Sequence, residues 1–380
     1  MRKKVLFFAD GLYGGGAEKV LQTLLQHLDK DKFEITLYSM KQEVLNDLYP
    51  QNINYHYVFS SCSESASVWK KLRVRCLNKI KLVVYYHLSP TWFYRLFIKG
   101  KYDTEVAFIE GYATRIVSGS TNPQSKKIAW VHTNLANNHW TGIAFRSLTE
   151  EQNAYSVFDR IISVSKSVEE VTKRLFSGIK EAIVLYNPID LKAIRSQSQS
   201  KLTMPKGNAC IRLVSVGRYV PQKAFHRLIS IVSRLLQLGY NIELLLLGEG
   251  SERTKLETQI QSLGLQNRVF LLGFQNNPYP FIKSADLFVC SSLTEGYSTV
   301  VTEALILEKP VVTTNCAGMR ELLLDGKCGL ITENNEDALF EGIKSVLDSK
   351  DLYVQYLENI KKTNSRFNIS VLMDGIESIL

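Results

Sequence analysis

The strongest constraint on the fold is an alternation of short apolar runs and amphipathic helices that occurs twice along the chain. The first series begins with an apolar run at 5–9, which predicts a buried strand, and a helix at 17–28 with apolar residues at helical spacing. Strands that alternate with helices predict a parallel sheet covered on both faces. The alternation stops at Asn187-Pro188 and restarts at 211–216, so the 380 residues are predicted to form two doubly wound α/β domains.

The junction between the two series is polar and contains the segment 195–201, which is rich in serine and glutamine. Such a composition is typical of a linker. We therefore predict an N-terminal domain at 1–190, a linker at 191–208, a C-terminal domain at 209–360, and a helix at 361–380 that packs back on the N-terminal domain. In parallel sheets of this kind ligands bind beyond the carboxyl ends of the strands, so a cleft between the domains is the expected site.

The remaining apolar runs and periodic segments complete the predicted order of elements. Besides 5–9 and 211–216, strands are predicted at 33–39, 104–109, 127–131, 160–164, 182–186, 242–247, 268–272, 286–290 and 310–313. Besides 17–28, helices are predicted at 150–158, 166–176, 222–238, 252–263, 299–307, 319–324 and 336–349.

Two features of the composition exclude classes of protein. The closest two of the six cysteines, Cys316 and Cys328, are twelve residues apart, so the spacing fits neither a zinc site nor a redox pair, and reduced thiols are expected. No apolar run approaches the roughly 20 residues that a membrane span needs. The apolar stretch after the basic N-terminus ends at Asp10, too early for a signal peptide, so a cytoplasmic protein is expected.

A glycine-rich loop, Gly14-Gly15-Gly16, follows the first predicted strand and opens the first helix. Glycines allow backbone amides to approach an anion at a helix N-terminus. The dinucleotide fingerprint is incomplete, because Lys19 takes the place of the third glycine and the next strand ends without an acid for the ribose. We therefore expect a loop that faces a phosphate or a sugar, with a tight strand-to-helix turn as the alternative.

The second half of the chain places small and charged residues at the ends of successive predicted strands. Gly217 and Arg218 come directly after the strand at 211–216, and Lys223 follows near the start of the next helix. Two cations at the carboxyl edge of a parallel sheet are suited to bind a diphosphate, although solvated surface charge is the alternative. Small residues at the next strand ends leave room for a flat ligand such as a nucleotide. The residues at these ends are Gly248, Gly250, Gly273 and Phe274.

The segment 295–303 carries an acid at each end and follows the predicted strand at 286–290. Glu295 lies in the loop and Glu303 lies inside the next helix, so one can hold a sugar hydroxyl while the other accepts hydrogen bonds from a ribose. Ser298 or Thr299 can cap the helix, and the free amides after Gly296, from Tyr297 to Thr299, can receive a phosphate. Taken alone, the pattern also fits a glutamate that stabilises the helix dipole and an exposed loop acid.

In this order the motifs resemble those of the family 4 glycosyltransferases, which are retaining enzymes of the GT-B fold. The resemblance extends over about 5–347 and rests mainly on Gly217-Arg218 with Lys223, followed by two glutamates with seven residues between them. Glycine is common in the family at two positions where this chain has alanine. Phe-Gly or Phe-Pro is common where this chain has Tyr297-Ser298. The positions that depart from the family are Ala224, Tyr297, Ser298 and Ala317.

The resemblance implies a donor site in the C-terminal domain and an acceptor site in the N-terminal domain. Arg218 and Lys223 would neutralise the donor diphosphate as the leaving nucleotide gains charge, and Glu303 would hold the ribose. Glu295 would face the transferred sugar, as would His132 at a strand end, for which a structural histidine is the alternative. The other donor-binding residues that it implies are Gly15, Gly16, Gly217, Gly248, Gly250, Gly273, Phe274, Gly296, Tyr297, Ser298 and Thr299.

The resemblance also implies the chemistry. A UDP-sugar is the expected donor, no cofactor and no metal are expected, and substitution at the front face of the sugar needs no enzyme nucleophile. A donor phosphate oxygen is expected to take the acceptor proton, and the sequence assigns no general base. Asp29-Lys30-Asp31 is an Asp-x-Asp triplet, but it precedes a predicted strand rather than following one, so a solvated turn is expected there.

The segment 68–102 contains nine basic residues and no acid, a surplus equal to the net charge of +9 of the whole chain. A basic segment that is also aromatic suits either a nucleic acid or an anionic membrane. Since many enzymes of the family act on lipid-linked acceptors, we expect a glycan or polyprenyl-linked acceptor and a peripheral location on the inner face of the cell membrane. The alternative is a basic helical face whose Leu, Val and Tyr side chains pack on the sheet.

Three functions are open at this level. A retaining, metal-independent glycosyltransferase accounts for the motifs of the second domain. A nucleotide-sugar 2-epimerase shares the two-domain architecture and would turn over a nucleotide sugar without an acceptor. A nucleic-acid-binding protein would use the segment 68–102, but it would leave the motifs of the second domain unexplained, so we expect no nucleic acid as a partner.

Overall fold

The computed structural model describes residues 2–45, 47–63, 65–136, 139–202, 204 and 210–380. The chain divides into two compact units, one formed by Met1–Pro188 together with Ser370–Leu380 and the other by Ile189–Ile369. Each unit is built on one parallel sheet whose strands alternate with helices. This confirms the predicted pair of doubly wound α/β domains.

In its described residues the first unit has seven strands. They are β1 (Lys3–Ala9), β2 (Phe33–Lys41), β3 (Asn54–Phe59), β4 (Thr104–Ala107), β5 (Lys126–Val131), β6 (Arg160–Ser163) and β7 (Ala182–Val184). Their order in the sheet is β3-β2-β1-β4-β5-β6-β7, and each neighbouring pair is parallel. The strand β1 lies near the centre, which explains why every residue from Val5 to Ala9 is fully buried.

Before residue 188 the described part of this unit has six α-helices. They are α1 (Gly16–His27), α2 (Val68–His87), α3 (Pro90–Phe97), α4 (Tyr112–Ser118), α5 (Leu148–Val157) and α6 (Lys166–Leu175), with a 3₁₀ turn at Trp140–Ala144. The helix α1 buries the residues that its periodicity predicted, among them Leu21 and Leu24. By contrast, Tyr85 is the single buried residue of the 20 in α2, so this helix lies on the surface of the unit.

The described part of the second unit has six strands. They are β8 (Ile211–Val216), β9 (Ile242–Leu247), β10 (Val269–Leu271), β11 (Leu287–Cys290), β12 (Val311–Thr314) and β13 (Gly329–Thr332). Their order is β10-β9-β8-β11-β12-β13, again with parallel neighbours. Two apolar clusters pack on this sheet, one around Ile229 and Leu244 and the other around Phe288 and Leu305.

The helices of the second unit follow the predicted alternation. They are α7 (Leu191–Gln197), α8 (Phe225–Gln237), α9 (Arg253–Ser262), α10 (Tyr279–Ser284), α11 (Thr299–Ile306), α12 (Met319–Leu322), α13 (Glu336–Asp348) and α14 (Lys350–Thr363), with 3₁₀ turns at Pro221–Lys223 and Asn364–Phe367. The last helix, α15 (Ile369–Ile379), groups with the first unit through Ser370–Leu380.

The segment predicted as a linker is partly helical. Its first residues form α7, because Asp190 caps the helix by accepting from Ala193 N at 2.8 Å and Ile194 is buried in the second unit. Residues 203 and 205–209 of that segment lie outside the described residues.

The order of each sheet reverses next to its first strand. In the first unit the chain runs outward from β1 to β3 and then returns to place β4 on the other side of β1. In the second unit β8 and β11 are neighbours in the same way. We call these two positions switch points, and ligands of doubly wound sheets bind at the carboxyl ends of the strands there.

Candidate active site

Glycines bring the ends of β8, β9 and β10 into close backbone contact. The Gly217 N donates to Leu247 O at 2.9 Å, and the Gly248 N donates to Gly273 O at 2.9 Å. Gly248 has φ +143°, and a Cβ there would lie 1.9 Å from Gly217 O, so no larger residue fits. A Cβ on Gly250 would lie 2.4 Å from a backbone oxygen of the turn after β8. We predict these glycines to contact the donor, and the packing of the loops requires them as well.

Lys223 and Glu295 form an ion pair across the switch point between β8 and β11. The Lys223 Nζ and the Glu295 Oε1 are 2.5 Å apart, and both side chains are largely buried. The Ser292 Oγ donates to the same Oε1 at 2.6 Å. Burial disfavours the ammonium charge, but the Glu295 carboxylate outweighs it and holds the pKa of Lys223 above its ordinary value. Lys223 therefore stays cationic at neutral pH. The positive charge of the exposed Arg218 is close enough to oppose this rise in the pKa of Lys223.

Further hydrogen bonds hold the loops after β8 and β11 together. The Ser291 Oγ donates to Lys223 O at 2.7 Å, and the Leu293 N donates to Gln222 O at 2.8 Å. The Gln222 side chain in turn donates to Thr294 O at 2.8 Å. The ion pair is thus fixed by the backbone on both sides of the switch point, which pre-organises its charges.

The helix α11 positions the second predicted acid. Glu303 lies in the second turn of this helix and is 1% exposed, whereas Glu295 lies in the preceding loop. Ser298 is the N-cap residue, as predicted, but its side chain makes no capping hydrogen bond. Its carbonyl oxygen accepts from Thr302 N at 3.1 Å, while its buried Oγ has no hydrogen-bond partner among the described residues. Such an unsatisfied buried hydroxyl is available to a ligand.

Of the other predicted donor residues of the second unit, three lie at the start of this helix or in the loop before it, and Phe274 lies elsewhere. Thr299 is the first residue of α11. The loop at Gly296 and Tyr297 packs against Gly318, where a Cβ would lie 2.4 Å from Gly296 O. Phe274 is 68% exposed, beyond the end of β10.

His132 lies at the end of β5 in the first unit and is buried. Its Nε2 is 2.8 Å from Phe108 O, so this nitrogen carries the proton and Nδ1 is an acceptor. Burial lowers the pKa of His132 to about 4. The imidazole is therefore neutral at pH 7 and can accept a hydrogen bond from a hydroxyl without changing its charge.

The glycine loop of the first unit is more open than the loops of the second. Gly15 is the N-cap residue of α1, and Gly16 begins the helix. Gly14 has φ +98°, but a Cβ there would meet nothing within 4 Å. A Cβ on Gly15 would lie 2.3 Å from Glu18 Oε2, so the carboxylate of Glu18 lies beside the loop that we predict to approach the diphosphate.

Comparisons with known proteins bear on the fold and on the class of enzyme. Residues 205–363 match the family model of glycosyl transferases group 1. The chain also superposes on the crystal structure of Anabaena Alr3699/HepE in complex with UDP and glucose, with a TM-score of 0.74 at 19% identity over 99% of each chain. The chain is a GT-B glycosyltransferase.

Two relatives of this glycosyltransferase differ in how much of the chain they match. An N-acetylgalactosamine-N,N'-diacetylbacillosaminyl-diphospho-undecaprenol 4-alpha-N-acetylgalactosaminyltransferase of Campylobacter jejuni is 28% identical over 385 residues, which cover 100% of both chains. The lipopolysaccharide core biosynthesis glycosyltransferase LpsE of Rhizobium meliloti is 30% identical over 185 residues, or 48% of this chain and 53% of the relative.

Two acids of the glycosyltransferase's first unit were not predicted as site residues. Asp10 directly follows β1, and its Oδ1 accepts from Ala113 N at 3.0 Å. Glu110 follows β4 and is fully buried, with its Oε2 accepting from His132 N at 2.9 Å and its Oε1 accepting from Thr133 Oγ1 at 2.5 Å. The signal was present in the sequence, because both acids stand at the ends of predicted strands.

The basic segment 68–102 of the glycosyltransferase forms α2 and α3. The predicted alternative, in which the Leu and Val side chains of α2 pack on the sheet, is wrong for most of them, because Leu72, Leu77, Leu82 and Val83 are exposed. Tyr85 anchors the end of the helix, since its hydroxyl donates to Ala144 O at 2.8 Å. Among the described residues, no helix combines the length and apolar character that a membrane span requires.

Proposed function

We propose that this glycosyltransferase moves a sugar from a UDP-sugar to a polysaccharide precursor or a polyprenyl-linked saccharide at the cytoplasmic face of the membrane. It retains the anomeric configuration and needs no metal ion. The observation that carries the proposal is the Lys223–Glu295 ion pair at the switch point of the second sheet, with Arg218 beside it.

The two cations suit the leaving group of such a reaction. When the bond between the sugar and the phosphate breaks, negative charge grows on the diphosphate, and fixed cations stabilise it. Lys223 is held by Glu295 and by the loop hydrogen bonds, so it does not have to be reoriented during the reaction. Lys223 and Arg218 together supply positive charge of the kind that a divalent ion supplies in metal-dependent transferases.

The start of α11 supplies polar groups for the rest of the donor. The unsatisfied hydroxyl of Ser298 and the first amides of the helix favour a phosphate, because the helix dipole adds to their attraction. Glu303 is assigned to the ribose hydroxyls, and Glu295 to the transferred sugar, both on the family 4 resemblance. HepE, which has the same fold, was crystallised with UDP and with UDP-glucose, and this supports a uridine nucleotide.

The acceptor assignment is supported by what the relatives act on. The Campylobacter jejuni relative is named for an undecaprenyl-diphosphate-linked acceptor, and LpsE for the lipopolysaccharide core. Both acceptors belong to glycans that are built on lipids. The relatives named here transfer sugars, so the 2-epimerase alternative gains no support. Retention is assigned on the order of motifs shared with the family 4 enzymes.

The surface of α2 supports binding to an anionic membrane. Trp69, Leu72, Ile80 and Val83 recur at spacings of three, eight and three residues, which places them on one face of the helix. Trp69 is 81% exposed and Ile80 is 58% exposed, so this face points to solvent. The segment 68–102 holds nine basic residues and no acid, and each basic residue near anionic lipid can contribute about 1 kcal/mol.

Vesicle sedimentation tests the membrane assignment. Binding to vesicles with phosphatidylglycerol should exceed binding to pure phosphatidylcholine and should weaken as salt rises. The double variant Arg73→Ala and Lys79→Ala removes about 2 kcal/mol of attraction, or roughly 30-fold in affinity. Trp69→Ser with Ile80→Ser should also weaken binding, whereas the matched control Leu238→Ser with Leu263→Ser in the second unit should not. Equal binding by all these proteins would contradict the assignment.

Thermal shift with a panel of nucleotide sugars tests the donor assignment. A bound ligand at 100 times its dissociation constant stabilises a protein by about 2.7 kcal/mol. We expect the largest shift with a UDP-sugar, and we expect Lys223→Ala and Glu303→Ala to abolish both the shift and the transfer. The matched control is Lys255→Ala, whose side chain is 75% exposed on α9. If Lys223→Ala and Glu303→Ala leave donor binding and transfer unchanged, the proposal is wrong, and NMR of the product's anomeric proton tests retention.

A further inference from the structure

Ser292 is a buried residue of the second unit that makes a direct hydrogen bond to the Glu295 carboxylate. It follows the end of β11 by two residues and is 1% exposed. Its hydroxyl donates to Glu295 Oε1 at 2.6 Å, and the same oxygen lies 2.5 Å from Lys223 Nζ. One oxygen of this carboxylate therefore has two partners, of which one is a cation and the other a neutral hydroxyl.

The ends of two neighbouring strands fix the backbone of Ser292. Its carbonyl oxygen accepts from Thr314 Oγ1 at 2.6 Å and from Cys316 Sγ at 3.0 Å, at the end of β12. The Asn334 Nδ2, which follows β13, donates to the same oxygen at 3.3 Å and to Leu293 O at 2.9 Å. These strands are consecutive in the order β11-β12-β13. Ser292 is therefore held in one place, from which its hydroxyl reaches Glu295.

Lys223 does not fix the carboxylate in the same way. Its ammonium carries three N–H groups on a flexible stem of four carbons, and one of these groups meets Glu295. Because the same ammonium must also attract the diphosphate, its contact with Glu295 depends on whether a nucleotide is bound. The hydrogen bond from Ser292 has no such second task.

The two contacts also select which oxygen of Glu295 meets the sugar. Both are made to Oε1, so the other oxygen, Oε2, is the one available to a hydroxyl of the transferred sugar. A hydrogen bond from a sugar depends on the direction of the acceptor as well as on its distance. A carboxylate that could rotate would therefore recognise the sugar less well than one that is held.

We propose that Ser292 is a positioning residue that holds the Glu295 carboxylate in the orientation that recognises the transferred sugar, an inference that rests on the proposed function. Its hydroxyl acts on the sugar through Glu295, so we expect no contribution to the binding of the nucleotide. Loss of the hydroxyl should weaken the steps that depend on the sugar and leave the affinity for UDP unchanged.

The test uses the full chain and compares UDP with the UDP-sugar that gives the largest thermal shift. Calorimetry of Ser292→Ala should give the native Kd for UDP, while the Kd of the UDP-sugar rises towards that of UDP. The kcat for hydrolysis of the UDP-sugar should fall by about 10-fold or more, the usual effect of losing a hydrogen bond to a charged group. Ser292→Thr keeps the hydroxyl and should recover most of the lost rate.

The matched control is Ser198→Ala. Ser198 is 4% exposed at the end of α7, and its hydroxyl donates to Arg195 O at 2.7 Å. Its loss also removes one buried hydrogen bond, but it should change neither the two affinities nor the hydrolysis rate.

A double-variant cycle with Glu295→Ala separates positioning from a general disturbance of the loop. If Ser292 acts through Glu295, Ser292→Ala should add little to the effect of Glu295→Ala on hydrolysis. Additive losses would overturn the inference, as would an affinity for UDP that falls as much as that for the UDP-sugar. If Glu295→Ala leaves the affinity for the UDP-sugar unchanged, the inference is also wrong.

Thr314→Val provides a second measurement if Ser292→Ala does not fold. It removes the shortest hydrogen bond to the Ser292 carbonyl without touching Glu295. The affinity for the UDP-sugar should again fall more than that for UDP, and an equal change in both would overturn the inference. Failure of UDP and every UDP-sugar to bind the native protein would instead overturn the proposed function and this inference with it.

Discussion

The two units of this glycosyltransferase share one topology and carry different ionisable groups at the same position. Six strands of the first sheet, β3-β2-β1-β4-β5-β6, have the connectivity of β10-β9-β8-β11-β12-β13. At the switch point of the second sheet a lysine is paired with a glutamate, whereas two acids occupy that of the first. The fold thus repeats the same position in both units, while the side chains that stand there differ.

The largest expected effect comes from making the second switch point resemble the first. Lys223→Glu would place two carboxylates within a few ångströms of each other and of the donor diphosphate. Truncating one partner of a buried charge pair costs about 2–5 kcal/mol, and charge reversal adds repulsion, so UDP affinity should fall by at least about 10³-fold. Isothermal titration with UDP measures this, with Lys255→Glu as the control. Retained UDP affinity in Lys223→Glu would show that the anion binds elsewhere.

The next effect separates the two glycine loops. Gly248→Ala would force a methyl group to within 1.9 Å of Gly217 O, so the loops after β8 and β9 must move apart, and we expect a loss of stability of about 4 kcal/mol. The methyl group added by Gly14→Ala would meet no atom within 4 Å. Only the φ of +98° disfavours alanine there, so we expect a loss of stability of about 1–2 kcal/mol. Urea denaturation of both variants measures the difference. Equal losses would mean that the loop of the first unit is as closely packed as that of the second.

A smaller effect concerns the stability of the first unit as a function of pH. The pKa of Asp10 is about 8 in the folded protein and about 3.9 in an unfolded chain, so the folded state holds the proton more tightly. Its contribution to stability is therefore full below pH 4 and is lost as pH rises through 8. Asp10→Asn cannot ionise, so its melting temperature should gain a few degrees on the native protein between pH 5 and pH 9, whereas the exposed control Asp374→Asn should not. A constant difference across this range would refute the assigned ionisation.

The smallest expected effect concerns His132. Because burial lowers its pKa to about 4, the imidazole should remain neutral from pH 9 down to pH 5. The unfolded chain binds the proton near pH 6.5, so this residue reduces stability only as pH falls from about 6.5 towards 4. NMR of the imidazole nitrogens should show Nε2 protonated and Nδ1 unprotonated throughout. Titration of the ring near pH 6.5 would contradict this and would show that His132 can exchange a proton near neutral pH.

The sequence predicted the central strands and two of the four edge strands, β7 and β10, but missed the edge strands β3 and β13. The strands at 211–216 and 242–247 were predicted with the bounds that the structure has, because fully buried strands are continuous apolar runs. The edge strand β3 was not predicted, since four of its six residues are polar or tyrosine side chains with partial or full exposure. The other missed strand, β13, has only four residues, and three of them are only partly buried.

The candidate site was predictable where its residues are close in sequence or follow a known order. Arg218, Lys223, Glu295 and Glu303 belong to motifs, and the structure brings Lys223 and Glu295 into contact. Asp10 and Glu110 are 100 residues apart, and only the return of the chain beside β1 makes them neighbours. The pKa of Asp10 depends on that proximity and on burial, which no local pattern contains.

The return of α15 to the first unit has a consequence for biosynthesis. The Thr104 hydroxyl donates to Leu380 O at 2.5 Å, the Lys126 Nζ donates to Ile379 O at 2.7 Å, and Glu377 accepts from Asp29 N at 3.0 Å. A ribosome adds these partners only after it has made the whole of Ile189–Ile369. The nascent first unit must therefore wait for the second to emerge before it is complete, which reverses the usual order in which domains mature during translation.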